Sequence, residues 1–388
     1  MEKKKIIRAV TVPQSTGFFK ELIPVLNEKG IEVVALSSPG KEMEELKEKG
    51  VPTVIIPMER HISLGKDFSA LMALIRTFRK EKPDMVHSMT PKAGLLCMMA
   101  AWLTRVPVRV HTFTGLVWPT AKGVQRKILM ATDWLTCACA THIIPEGKGV
   151  MNDLQRHITR KPMRVLGYGN VKGVDMERFS LRPEIVRLAE ELRKGDVFTF
   201  LFVGRIVGDK GMNELVEAFT KLQAEDPACR LVIVGQQEEQ LDPLKPETIR
   251  SIDLMDAIEM VGAKYGDELI AWYAASDCFI LPSYREGFPN TVLEAGAMGL
   301  PSIVTDINGS REIIIDGENG LIVPSKDADA LYDAMLRMLT DEPMRKAMAE
   351  KARGLIASRF EKGFVQQCLL DFYGEICKAG WIVNLVPR

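Results

Sequence analysis

The chain has 388 residues, enough for two domains of ordinary size, and its 46% hydrophobic and 26% charged residues are the composition of a globular protein, not of a disordered or fibrous one. Its longest apolar run, "AGLLCMMAAWL" at 93–103, falls well short of the roughly 20 residues that span a bilayer, so no membrane-spanning helix is expected. Net charge is zero overall, yet residues 1–178 carry 28 Lys and Arg against 17 Asp and Glu (net +11), and residues 179–388 carry 23 against 34 (net −11); a basic half suits an anionic partner.

In chain order, "MEKKKIIRAV" runs straight into a strand without the apolar core and cleavage site of a signal peptide, and the expectation is a cytoplasmic protein. After this first strand comes "TVPQSTGFF", a strand-end loop containing Gly17, and then the apolar β-branched runs "IEVVAL" and "VPTVIIP". "FSALMALIRTFRKEKP" at 68–83 repeats apolar residues at three- and four-residue spacing and stops at proline, which predicts a helix. The strand "DMVHSM" places His87 near its end, with Lys92 at the start of the helix behind it; "VRVHTF" brings His111, and Thr114 follows. "GVQRKILMATDWLTCACA" and "RHITRKPMRV" supply much of the basic charge, and read either as a surface for anionic lipid or as a core helix with a basic outer face. The stretch "GYGNVKGVDMERFSLRPEIVRLAEELRKGD" marks the domain boundary, set at 178/179.

The second half repeats the alternation with "FTFLFVG", "RLVIVG", "IEMVG", "DCFILP", "PSIVTD" and "GLIVP". Strands alternating with helices imply βαβ units and parallel sheets, hence two doubly wound α/β domains, 1–178 and 179–365, expected to face each other across a cleft. A C-terminal helix, 366–384, is expected to cross back to the first domain; the final "LVPR", 385–388, matches what thrombin leaves of an engineered site and is set aside. Seven scattered cysteines without a CxxC pair argue against zinc and disulfides, and read as small buried hydrophobes in a reducing compartment.

Two stretches carry chemistry. In "FVGRIVGDKGMNELVEAF" a strand ends at Gly204, Arg205 and Lys210 occupy the loop, and a helix N-terminus follows, an arrangement that suits a diphosphate. No GxxxxGK[ST] or GxGxxG pattern accompanies it, and by residue type alone the loop reads equally as structure. In "SYREGFPNTVLEAGAMGLPSIVT" Glu286 falls in the loop and Glu294 about one turn into the next helix. Two carboxylates so placed can hold the hydroxyls of a hexose and a ribose, with the backbone N–H groups of Asn290, Thr291 and Val292 toward phosphate between them; a plain loop acid and a first-turn glutamate remain the structural alternative. Asp327 and Asp329 in "SKDADALYDAM" form a DxD, but they open a helix behind Ser325, where caps and first-turn acids belong, and no metal is assigned to them.

Arg205 and Lys210 with four residues between them, "EGFPNTVLEA", "GLPSIVTDINGSREIIIDGENGLIVP" and "GNVKGVDMERF" together resemble the retaining glycosyltransferases of family GT4, with the GT-B fold. The resemblance is dense from about 165 to 325; "PMERHISLGKDFSALMALIRTFRKEKPDMVHSMTPKAGLL" and "VPVRVHTFTGLVW" are similar to the branch that builds capsular, O-antigen and other polysaccharide repeat units on lipid-linked acceptors. It implies that Arg205 and Lys210 neutralise a leaving diphosphate without a metal, that Glu286 binds the donor hexose and Glu294 the ribose, and that Gly17 lets backbone approach the donor. Many relatives carry a histidine just before the glycine in the loop after "VPVRV"; here Thr114 precedes Gly115, with His111 the alternative sugar contact. His87 and Lys92 are the candidate sugar or acceptor contacts.

The resemblance thus implies transfer of a hexose-type sugar, with retention, from a nucleoside-diphosphate sugar, expected to be a UDP-sugar, to a saccharide or polyprenyl-diphosphate-linked acceptor at the inner face of the membrane. Base contacts are expected around "VGAKYGD" at 261–267. No cofactor is expected beyond the donor, and no nucleic acid, since neither a stacking platform nor a recognition motif is present. The alternatives on the same architecture are a nucleotide-sugar epimerase or phosphorylase and, from another class, a non-catalytic sugar-nucleotide-binding subunit.

Overall fold

The computed structural model describes residues 4–59, 61–238 and 242–378, without the side chains of 377 and 378. Contacts divide it into two units, 1–172 with 363–388 and 173–362. Residues 379–388, with the end of the expected C-terminal helix and the "LVPR" segment, lie outside the described residues.

Each unit is built on a parallel sheet, six-stranded among the described residues. The first contains β1 (Lys4–Ala9), β2 (Ile31–Ser37), β3 (Thr53–Ile55), β4 (Met85–Met89), β5 (Val108–Phe113) and β6 (His142–Pro145), in the order β3-β2-β1-β4-β5-β6. The second contains β7 (Phe198–Val203), β8 (Cys229–Val234), β9 (Ile258–Gly262), β10 (Cys278–Leu281), β11 (Ser302–Thr305) and β12 (Gly320–Val323), in the order β12-β11-β10-β7-β8-β9. Both are the 3-2-1-4-5-6 winding, with the reversal of direction between β1 and β4 in one and between β7 and β10 in the other. The strands are unbroken apolar runs because helices cover both faces; β7 and β8 are buried at every residue.

Strand β6, "HIIP", is not among the runs picked out by sequence: it has four residues and follows the helix Gly123–Cys139 without a Gly or Pro break. The boundary falls at 172/173, not 178/179, because residues 173–178 are held by the second unit. Val174 N–H donates to Phe360 O at 2.8 Å and Lys362 N–H to Val174 O at 2.9 Å. Lys362 Nζ meets Asp175 at 2.8 Å, and Arg353 donates to the carbonyls of Met176, Phe179 and Ala297. The C-terminal helix is Lys362–Lys378, and its Leu370, Phe372 and Tyr373 are buried in the core of the first unit with Ile6, Val10 and Phe19.

Cys97, Cys137, Cys139, Cys229 and Cys278 are buried and Cys368 half-buried, all as free thiols; burial pushes the thiols of the first five up. Among the described residues no helix is long and apolar enough to cross a membrane.

Gly94, in the helix Pro91–Leu103, sets how closely that helix approaches β5: a Cβ there would lie 2.3 Å from Cε1 of buried His111. Alanine gains up to about 1 kcal/mol over glycine in a helix, but overpacking a core costs about 1–3 kcal/mol. Gly94→Ala is therefore expected to lower the unfolding free energy in a denaturant titration, and a neutral or stabilised variant would contradict this packing.

Candidate functional site: the loops after β7 and β10

Strands β7 and β10 are hydrogen-bonded neighbours whose chains leave in opposite directions, so the loops at their carboxyl ends meet although 76 residues separate Lys210 from Glu286. The meeting is tight. Gly211 sits at φ 73° between the short turn Gly208–Lys210 and the helix Met212–Glu225, and a Cβ on it would lie 2.1 Å from Pro282 O. Tyr284 N–H donates to Asp209 O at 2.8 Å, and Arg285 pairs with Asp209 at 2.9 Å.

At this junction Lys210 Nζ donates to Glu286 Oε1, and Ser283 Oγ donates to the same oxygen at 2.7 Å. The two charged side chains are only 17% and 14% exposed, which makes this a sheltered pair and not a surface one. Thr305 Oγ1 at the end of β11 donates to Ser283 O, and Tyr284 OH donates to both oxygens of Glu214 at 2.7 Å. Burial first, and then that carboxylate, pushes the Tyr284 phenol well above its ordinary range, so it remains a neutral donor. Arg205 reaches Glu238 at 3.0 Å, but its side chain is 45% exposed, and such a pair is worth little and is readily exchanged for a stronger anion.

Glu294 is half-buried in the helix Asn290–Ala297 and accepts from Tyr273 OH at 3.0 Å. Tyr273 is fully buried; burial and then Glu294 push its phenol far up, so it holds the carboxylate as a fixed donor. Asn290, Thr291 and Val292 open this helix as expected, although Val292 N–H already donates to Pro289 O at 3.2 Å and Val292 itself is buried. Gly204 ends β7, where a Cβ would lie 3.2 Å from the Phe202 ring, so its own sheet accounts for part of its need. Gly17, in the first unit, lies in the short helix Pro13–Phe18 at ordinary φ, and a Cβ there would meet nothing within 4 Å. Nothing in the described structure requires glycine at that position.

The candidate contacts of the first unit fall into two groups. His87 and His111 do not face outward: each is 1% exposed. His87 shares its ring nitrogens with Tyr373 OH at 2.5 Å and Thr112 Oγ1 at 2.7 Å, and His111 Nδ1 pairs with Ser88 Oγ at 2.9 Å. Burial holds both neutral, His111 down to about 3 and His87 well below its usual value with help from the Arg8 charge. They are interior residues, a correction to their candidacy as ligands, because parallel strands covered on both faces turn mid-strand side chains into core. Lys92 is committed to Asp67 at 2.5 Å and to His61 O at 2.9 Å with 9% of its side chain exposed. Thr114 and Gly115 follow β5, half-buried. Asp327 caps the helix Ala328–Thr340 itself, accepting from Ala330 N at 2.9 Å, in place of Ser325, and Asp329 pairs with Lys221. Among the described residues no three His, Cys, Asp or Glu gather as a metal site.

Ser283, Tyr284, Asp209 and Tyr273, which orient these charged groups, were not found by sequence reasoning; for the first two the only available signal was adjacency to Glu286 in "SYRE".

Residues 187–355 match the family model described as glycosyl transferases group 1, and residues 18–169 match the glycosyl transferase 4-like domain. The capsular polysaccharide biosynthesis glycosyltransferase CapM of Staphylococcus aureus is 31% identical over 97% of this chain and 99% of its own length. The chain belongs to the group 1 glycosyltransferases. The UDP-Gal:alpha-D-GlcNAc-diphosphoundecaprenol alpha-1,3-galactosyltransferase of Escherichia coli is another relative of this glycosyltransferase, 31% identical over 80% of the chain and 79% of its own length. Among solved structures, Anabaena Alr3699/HepE in complex with UDP and glucose superposes with a TM-score of 0.80 at 18% identity, covering 96% of this chain and all of that one, a likeness of GT-B fold.

The Lys210–Glu286 pair makes a stability prediction. Lys210→Met and Glu286→Gln each leave a sheltered partner without its countercharge and are expected to cost on the order of 1–3 kcal/mol in denaturant titration. The double variant is expected to lose clearly less than their sum. Strict additivity would mean the two groups do not act on each other.

Proposed function

We propose that this glycosyltransferase moves a hexose-type sugar from a UDP-sugar to a lipid-linked saccharide in cell-surface polysaccharide synthesis, with retention of anomeric configuration and without a metal. The observation that carries the proposal is the Lys210–Glu286 pair at the switch point of the second sheet, with Arg205 in the same loop as Lys210. A nucleoside diphosphate gives Lys210 and Arg205 a divalent partner, and Glu286, released from Lys210, accepts hydroxyls of the hexose. Glu294, fixed by Tyr273, accepts from the ribose. As the glycosidic C–O bond breaks, negative charge grows on the diphosphate, and cations already in place stabilise it. The departing phosphate oxygen then takes the proton of the acceptor hydroxyl attacking the same face. The name of the Escherichia coli relative, which specifies UDP-Gal and a diphosphoundecaprenol acceptor, supports the donor and acceptor classes.

The acceptor side belongs to the first unit. There the helices Leu64–Glu81 and Gly123–Cys139 pack on either side of Pro91–Leu103. Their opening turns expose Leu64 (84%), Phe68 (64%), Val124 (73%) and Ile128, with Lys122, Arg126 and Lys127 alongside. Apolar residues one turn apart, bordered by cations, are suited to an anionic lipid surface.

Two experiments test these readings. UDP or one of its sugars is expected to raise Tm selectively within a panel of nucleotides, less so in Glu294→Ala, with transfer undiminished by EDTA. Absence of any nucleotide shift at millimolar concentration would contradict the donor site, and loss of transfer in EDTA the metal independence. The protein is expected to sediment with anionic vesicles, less at high salt and much less as Phe68→Asp/Ile128→Asp at unchanged Tm; equal binding by that variant would refute the lipid surface.

A further inference from the structure

An arginine buried inside a protein is normally paired with a carboxylate, because an uncompensated interior charge costs several kcal/mol. Arg8, near the carboxyl end of β1, is 1% exposed and has no such partner among the described residues. Its Nη1 donates to Tyr373 OH at 2.8 Å, its Nη2 meets Met89 Sδ at 3.4 Å, and its guanidinium lies 5.1 Å from the Phe19 ring centroid. None of these groups is an anion, and Arg8 Nε has no hydrogen-bond partner among the described residues.

Arg8, His87, Thr112 and Asn170 line a cavity of about 20 Å³ that Val365 and Leu369 of the C-terminal helix help to close. Of the described side chains on its wall, Arg8 alone carries a full charge, since burial and the guanidinium itself keep His87 neutral. A water-sized sphere needs roughly 10–15 Å³, so the space can hold a monoatomic anion. We propose that this cavity binds a single monoatomic anion of the halide class, which neutralises Arg8. Because Tyr373 of the C-terminal helix shares the same guanidinium, the bound anion also strengthens the hold of that helix on the first sheet. The site is independent of the sugar transferred.

The test uses the full chain. Crystals soaked in sodium bromide are expected to give an anomalous peak beside Arg8 Nε. At constant ionic strength, chloride is expected to raise Tm above its value in gluconate, and Arg8→Met to abolish that difference. An ordered water and no bromide peak beside Arg8 would overturn the proposal, as would a chloride dependence that persists in Arg8→Met, or stabilisation through Arg8 by phosphate alone. Should Arg8→Met fail to fold, the bromide map of the unaltered protein decides.

Discussion

The second unit depends on one topological constraint, the reversal of winding between β7 and β10. Parallel strands must be joined by crossovers, and where two crossovers diverge, the carboxyl-end loops of neighbouring strands are left facing each other with no helix between them. That is where Lys210 meets Glu286. Gly211, which no residue with a side chain could replace against Pro282 O, lets the two backbones come close enough for the charges to pair. The candidate site of this glycosyltransferase therefore lies at a position that its winding order creates.

Around that junction the polar groups are arranged in pairs of unequal permanence. Tyr273 and Tyr284 are kept neutral by burial and hold Glu294 and Glu214 as fixed donors. Lys210 and Arg205, by contrast, rest on carboxylates that a diphosphate can replace, one sheltered and one half in solvent. In the proposed mechanism, cations paired in this way leave no unscreened positive charge between turnovers, and exchanging a carboxylate for a diphosphate would add charge-assisted hydrogen bonds.

Much of this was legible in the residues. The alternation of apolar runs with helical spacing carried the doubly wound fold, and all six strands of the second sheet appear among the runs, because buried parallel strands are continuous and β-branched. Strand β6 was not legible, since "HIIP" follows the helix Gly123–Cys139 without a Gly or Pro break to separate it. Of the candidate site, the resemblance carried by "GRIVGDK" and "EGFPNTVLEA" singled out Arg205, Lys210, Glu286 and Glu294, but not that Lys210 and Glu286 pair, which only the strand order dictates. His87 and His111 were misleading for the same reason: a histidine in an apolar strand is indistinguishable by letter from one at its mouth, and here neighbouring hydroxyls from Tyr373, Thr112 and Ser88 satisfy them inside. Arg8 had no signal at all, being one of three cations in β1, with surroundings that come from a helix some 365 residues later.

In the proposed mechanism the diphosphate displaces Glu286 from Lys210. A crystal structure of the protein with UDP tests it most directly. Lys210 Nζ is expected on a β-phosphate oxygen, with Glu286 turned away from it and the ribose hydroxyls on Glu294. UDP bound with the Lys210–Glu286 pair intact, or bound away from the loops after β7 and β10, would contradict it.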